Sequence, residues 1–105
     1  MAFCIIYVTH ENLEEAKKVG NHLLEKKMIA CANYFPITSS FLWKENIQYE
    51  EEFISILKTS LKNWERVKEE IKKVHPYDTP AIIKFQVEAN EDFEKWIEEE
   101  TNYTL

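Results

Sequence analysis

The chain has 105 residues, enough for one domain but not for a second core, and its 45% apolar and 30% charged residues with a single glycine exclude intrinsic disorder. Nineteen acidic residues against thirteen basic ones leave a net charge of −6, so a phosphate backbone is repelled on average and no nucleic acid partner is expected. The longest apolar run, Ala2 to Val8, falls far short of the roughly 18 residues that cross a bilayer, so no membrane is expected either. Met1 leads straight into that strand-like run, which points to a cytoplasmic protein whose two cysteines, Cys4 and Cys31, are thiols.

Both alternating sets of Ala2 to Val8 are apolar, as in a central strand covered on two sides. Asn12, three residues before Glu15, starts a helix over Leu13 to Lys26, whose closing lysines suit a helix C-terminus. Met28 to Phe35 reads as a second strand ended by Pro36. A third strand begins at Ser39 to Trp43, bends over Lys44 to Asn46 and resumes from Ile47 to Lys58. Trp64, Val67, Ile71 and Val74 form one stripe of a second helix that stops before Pro76. Ile82 to Val87 is a fourth strand, and Phe93, Trp96 and Ile97 form the buried side of a short last helix.

The order is βαββαβ with an added C-terminal helix, an α+β, ferredoxin-like sandwich forming a single domain over residues 1–105. In such a fold one sheet face would be wet. Here the strands are apolar on both sides and carry Tyr34, Phe35, Phe41 and Trp43, so a second or third copy of the chain is expected to cover that face.

The fold hosts many activities, so chemistry must be read from residues. A phosphate cradle fails for want of arginines, since Arg66 stands alone on the polar side of the second helix. Cys4 and Cys31 are too far apart in sequence for a Cys-x-x-Cys metal loop, and Gly20 is the only glycine, so there is no glycine-rich phosphate loop. Neither a nucleophile beside a base nor a carboxylate pair emerges from the spacing, so no enzyme is expected. What remains is Cys31 in Ala30-Cys31-Ala32-Asn33 and His75 in His75-Pro76-Tyr77, a soft and a borderline metal ligand. Taken singly, each reads as structural, Cys31 as a small buried hydrophobe and His75 as a helix cap. His10 and His22 are further histidines, His22 on the flank of the first helix. Trp43 and Tyr77 are aromatics of a kind that line cores or pockets, and Lys58 is an anion anchor or a wet sheet edge.

Tyr7-Val8-Thr9, Ala30-Cys31-Ala32-Asn33, Trp43, Leu57-Lys58-Thr59, His75-Pro76-Tyr77 with Pro80 and Ile82, and Trp96-Ile97, in this order and spacing, resemble the CutA divalent-cation-tolerance family over nearly the whole chain. The resemblance implies a ferredoxin-like subunit in a homotrimer, linked to copper and other divalent metals and without an established reaction. Cys31 and His75 would then contribute to a weak site for Cu(II) or another divalent cation. Its likeness to the PII signalling trimers implies an alternative, a sensor or adaptor taking a small molecule or a protein partner at subunit clefts lined by Trp43, Lys58 and Tyr77. Phe41, Glu45, Asn46 and Ala81 stand where the family usually has tyrosine, glycine, lysine and glutamate. A hydroxyl, a glycine turn, an ammonium and a carboxylate are thereby absent.

Overall fold

The computed structural model describes residues 2–101. Its elements are β1 (Phe3–His10), α1 (Leu13–Glu25), β2 (Cys31–Trp43), β3 (Asn46–Ser60), a short 3-10 turn (Leu61–Asn63), α2 (Trp64–Val74), β4 (Ile82–Val87) and α3 (Glu91–Thr101). The four strands form one antiparallel sheet in the order β2-β3-β1-β4, which confirms the ferredoxin-like α+β arrangement.

Helix α1 begins where Asn12 accepts a hydrogen bond from the Glu15 amide at 2.9 Å, as the sequence predicts. It ends in a Schellman motif: Lys27 takes a positive φ of 57°, its amide bonds to Leu24 O, and the Met28 amide bonds to Leu23 O. That turn sends Met28 and Ile29 into the core rather than into a strand, so β2 starts three residues later than the apolar run suggests. Gly20 lies against the Tyr34 side chain of β2, so a Cβ there would press on the Tyr34 hydroxyl and the tyrosine would have to shift.

Two expectations about β2 are corrected. The strand does not stop at Pro36 but runs through it to Trp43, and Lys44 and Glu45 form the tip of a two-residue hairpin rather than a bend within the third strand. A proline is tolerated because β2 is an edge strand with a neighbour on one side only. Lys44 and Glu45 both have positive φ, 49° and 70°, as a type I′ turn demands, although neither is glycine or asparagine. The Asn46 side chain donates through Nδ2 to Lys44 O at 3.2 Å and helps hold this turn. Glu45→Gly is therefore expected to stabilise the hairpin by about 0.5 to 1 kcal/mol, read as a higher melting temperature, because it removes left-handed strain from a side-chain-bearing residue.

Cys4, Ile6 and Val8 of β1 and Leu57 of β3 pack beneath Val19 and Leu23 of α1 and Val67 and Ile71 of α2, all fully or almost fully buried. On the opposite face, α3 covers one end only, where the Phe93 ring meets Phe3 edge-on with centroids 6.0 Å apart. The rest is open. Phe35, Ile83 and Phe85 lie there 41%, 44% and 50% exposed. Strand β1 pairs only with Phe53 to Ser60 of β3, so the hairpin formed by Ile37 to Glu52 projects past the sheet as an arm carrying exposed Phe41, Leu42, Trp43, Ile47 and Tyr49. Among the described residues, no helix is long and apolar enough to cross a membrane.

Candidate functional site

The most concentrated group of chemical side chains lies where β1 ends and α2 stops. His75 is the C-cap of α2, with its amide bonded to Ile71 O and its side chain almost buried. Its ring is locked by two backbone groups. Nε2 lies 2.7 Å from Thr9 O, a carbonyl that can only accept, so Nε2 carries the proton. Nδ1 accepts from the Tyr77 amide at 3.2 Å, so it bears the lone pair. Histidine held through one ring N–H by a carbonyl is the arrangement that orients metal-ligating imidazoles and raises their basicity.

Two residues that the spacing alone did not connect complete the cluster. His10 stacks on His75 with centroids 5.1 Å apart and planes 19° apart, and its Nε2 lies 2.8 Å from Ser55 Oγ on β3. Both side chains are fully buried. Burial, with a smaller contribution from the neighbouring His75, pushes the His10 pKa down to about 4, and its buried Nδ1 has no hydrogen-bond partner among the described residues. Ser55 and His10 thus form a buried hydroxyl–imidazole pair that sequence spacing had not revealed, with no carboxylate hydrogen-bonded to the ring among the described residues. Nearly parallel rings also cannot aim their in-plane lone pairs at one ion, so His10 does not join His75 as a second ligand. On the other flank the Tyr77 ring packs against His75 with centroids 4.7 Å apart, and its hydroxyl donates to Glu52 Oε2 at 2.8 Å. Burial first, then that carboxylate, pushes the Tyr77 hydroxyl well above its ordinary pKa.

Cys31 lies elsewhere, at the start of edge strand β2 and opposite Lys58 of β3. Its thiol contacts Asn33 Oδ1 at 3.6 Å, and the same oxygen accepts from Lys58 Nζ at 2.9 Å. The Lys58 ammonium also sits 5.5 Å from the Phe93 ring centre. Thr9, which anchors His75, pairs with Ile54, so His75 and Cys31 are separated by about 13 Å along the strands and cannot hold one ion within a single chain. No three metal-binding side chains cluster among the described residues. The residues of the expected cleft are also spread out. Trp43 stands at the arm tip opposite Asn46, Tyr77 reaches Glu52 midway, and Lys58 is at the base, roughly 20 Å between successive positions.

Other expectations resolve simply. Cys4 and Cys31 are both free thiols, and burial raises the Cys4 pKa. His22 is more than a flank residue, since its Nε2 lies 2.6 Å from Glu70 Oε2 and ties α1 to α2. That hydrogen bond holds the Glu70 carboxyl below its ordinary pKa.

These features define a ferredoxin-like α+β subunit with an uncovered sheet face, a projecting arm and a locked histidine at the sheet end. Comparison with known proteins agrees and is more specific. The family model of the CutA1 divalent ion tolerance protein matches residues 4–100. The divalent-cation tolerance protein CutA of Pyrococcus horikoshii is 45% identical over 98 residues, covering 92% of this chain and 96% of that protein. The structure of the periplasmic divalent cation tolerance protein CutA from Archaeoglobus fulgidus superposes with a TM-score of 0.92 at 40% identity, over 97% of this chain and 100% of that one. The PII-like protein CutA from Nostoc sp. PCC 7120, in apo form, superposes with a TM-score of 0.88 at 25% identity, over 94% and 97% of the two chains. The chain belongs to the CutA1 divalent ion tolerance family.

Proposed function

We propose that the protein is a homotrimeric, cytoplasmic divalent-cation-tolerance protein that binds copper or another divalent metal ion weakly, through His75 of one subunit and Cys31 of a neighbour. The observation that carries this reading is the state of His75, whose Nε2–H is fixed to Thr9 O while the Nδ1 lone pair is engaged only by the longer bond from Tyr77. Cys31 fits as the partner ligand by chemistry and place, a half-buried thiol on an edge strand that a second copy could approach. The uncovered face and the apolar arm support assembly.

One thiolate and one imidazole are two ligands short of the usual tetrahedral set, so the affinity is far below that of a structural zinc site, with Cu(II) preferred over Zn(II). Calorimetric titration of each ion into the parent and into the Cys31→Ala, His75→Ala double variant tests this. The parent is expected to bind copper and the double variant to lose most of that binding. Copper bound equally tightly by both would reduce the pair to a core thiol and a helix cap.

A second reading takes its support from the likeness to the PII-like Nostoc protein. In it a small molecule or partner protein binds at subunit clefts that bring together Trp43, Lys58 and Tyr77 from different copies, since one chain keeps them far apart.

A further inference from the structure

We propose that Lys58 and Asn33 form a binding site for a small monocarboxylate whose apolar body lies on the uncovered sheet face, where two copies of the chain meet. This rests on the small-molecule cleft reading above and names the chemistry of the ligand.

The face is apolar except at one point. Strand register sets Phe3, Ile5 and Tyr7 of β1 beside Ser60, Lys58 and Ile56 of β3 and beside Val87, Phe85 and Ile83 of β4, so Lys58 is the one charged side chain in these rows. Its ammonium has three N–H donors and spends one on Asn33 Oδ1 at 2.9 Å, while the Phe93 ring centre lies 5.5 Å away. No carboxylate pairs with it among the described residues. Water solvates that charge in a lone subunit. A second copy laid over Phe35 and Phe85 would remove the water, and an ammonium left in an apolar interface without a counter-charge is strongly destabilising. An anion at Lys58 lifts that penalty, so the anion and the covered face favour each other.

Asn33 is already turned for the task. Lys58 Nζ and Cys31 Sγ, the latter at 3.6 Å, both donate toward one atom of its amide, which is therefore the oxygen, and Nδ2 keeps its two N–H donors unspent among the described residues. Nδ2 is bonded to the same carbon as that oxygen, so it and the ammonium lie within reach of one carboxylate, which accepts from both. One ammonium and one amide match a single negative charge. A phosphate group, with close to two charges, calls for arginines or a run of backbone N–H groups, and Arg66, the only arginine, belongs to α2 on the other face of the sheet. Ile5 pairs with Lys58 on one side and with the half-exposed Phe85 on the other, and this apolar shelf suits a short aliphatic or aromatic chain attached to the carboxylate.

The test follows the full chain, labelled with nitrogen-15, by NMR at low salt, with hexanoate as the probe and 1-hexanol and inorganic phosphate as its uncharged and chainless counterparts. Hexanoate is expected to shift the Asn33 side-chain NH2 and the Ile5 and Phe85 amides saturably, and to bind about tenfold or more tightly than either counterpart. Lys58→Met is expected to weaken hexanoate binding about tenfold or more, whereas Lys58→Arg, which keeps the charge, stays within about threefold of the parent. In light scattering, hexanoate is expected to hold the parent's copies together at greater dilution. Equal binding of hexanoate and 1-hexanol, or of hexanoate by the parent and Lys58→Met, would overturn the carboxylate site, while shifts at Trp43 and Tyr77 would keep the cleft reading in place. Disassembly of Lys58→Met without any added acid would mean that a carboxylate of a second copy meets the ammonium, and would also overturn the site for a free ligand. A parent that stays a single chain with and without hexanoate would remove the cleft reading together with the inference.

Discussion

At micromolar concentration, light scattering is expected to give three times the chain mass, and Phe35→Asp with Phe85→Asp is expected to reduce it to that of one chain. Both phenylalanines lie on the sheet face that α1 and α2 do not cover, and both are roughly half exposed in the isolated subunit. A carboxylate there costs an isolated subunit little. In an interface it would be a buried charge without a partner, worth about 3 kcal/mol or more each, so dissociation should strengthen by well over a hundredfold. The arm points the same way, since exposed Leu42, Trp43, Ile47 and Tyr49 at 73%, 44%, 62% and 75% form an apolar surface of a kind that soluble monomers rarely present. Because each copy would complete its neighbour's core, the melting temperature of the parent should fall on dilution. A parent protein that is monomeric, or a double aspartate variant that remains assembled, would refute this arrangement. Unchanged far-ultraviolet circular dichroism in the variant would establish that the subunit fold survives.

The sheet itself was legible in the sequence because β1, β4 and the C-terminal half of β3 are marked by strong local signals. Ile82–Val87 is observed as expected, and α2 ends at Val74, just before His75 and Pro76. The extent of β2 was not legible. Proline is a strand breaker only where an N–H is needed, and that depends on the strand being at an edge, which is a tertiary fact. The hairpin tip was hidden for a related reason, because Lys44 and Glu45 adopt positive φ without the glycine or asparagine that normally announces it. At the site, His75 and Tyr77 are two residues apart in sequence and could be read together, whereas His10, Glu52 and Ser55 meet them only through strand register. One signal was available. Cys4, Ile6, Val8 and His10 alternate along β1, so His10 continues a buried row and had to be neutral or paired there.

That buried row gives the chain an acid sensitivity of definite sign. His10 has an ordinary pKa of 6.5 that burial lowers to about 4 in the folded protein. Above pH 6.5 the ring is neutral in both folded and unfolded chains and imposes no penalty. Between pH 6.5 and about 4 the unfolded chain takes up a proton that the folded one refuses, so stability falls as pH falls. Each pKa unit is worth about 1.4 kcal/mol, so the full loss approaches 3 kcal/mol near pH 4, a sizeable part of a small domain's stability. Carboxylates such as Glu70, held below its ordinary pKa by His22, Lys26 and Lys73, add their own losses at lower pH, so the His10 contribution must be measured as a difference. The titratable ring stacked on His10 is that of His75, which also contacts Tyr77, whose hydroxyl donates to the carboxylate of Glu52. The matched variant is His10→Leu with Ser55→Ala, which removes both halves of the buried bond and the unpartnered Nδ1. Exchanging both partners for apolar groups of similar shape is nearly neutral at pH 7. Urea unfolding from pH 7 to pH 4 should therefore show parent and variant within about 1 kcal/mol of each other at pH 7, with the variant more stable by about 2 to 3 kcal/mol at pH 4. Parallel curves across that range would mean that His10 accepts its proton in the folded chain as readily as in the unfolded one, and that the stacked pair opens to water before it can resist the acid.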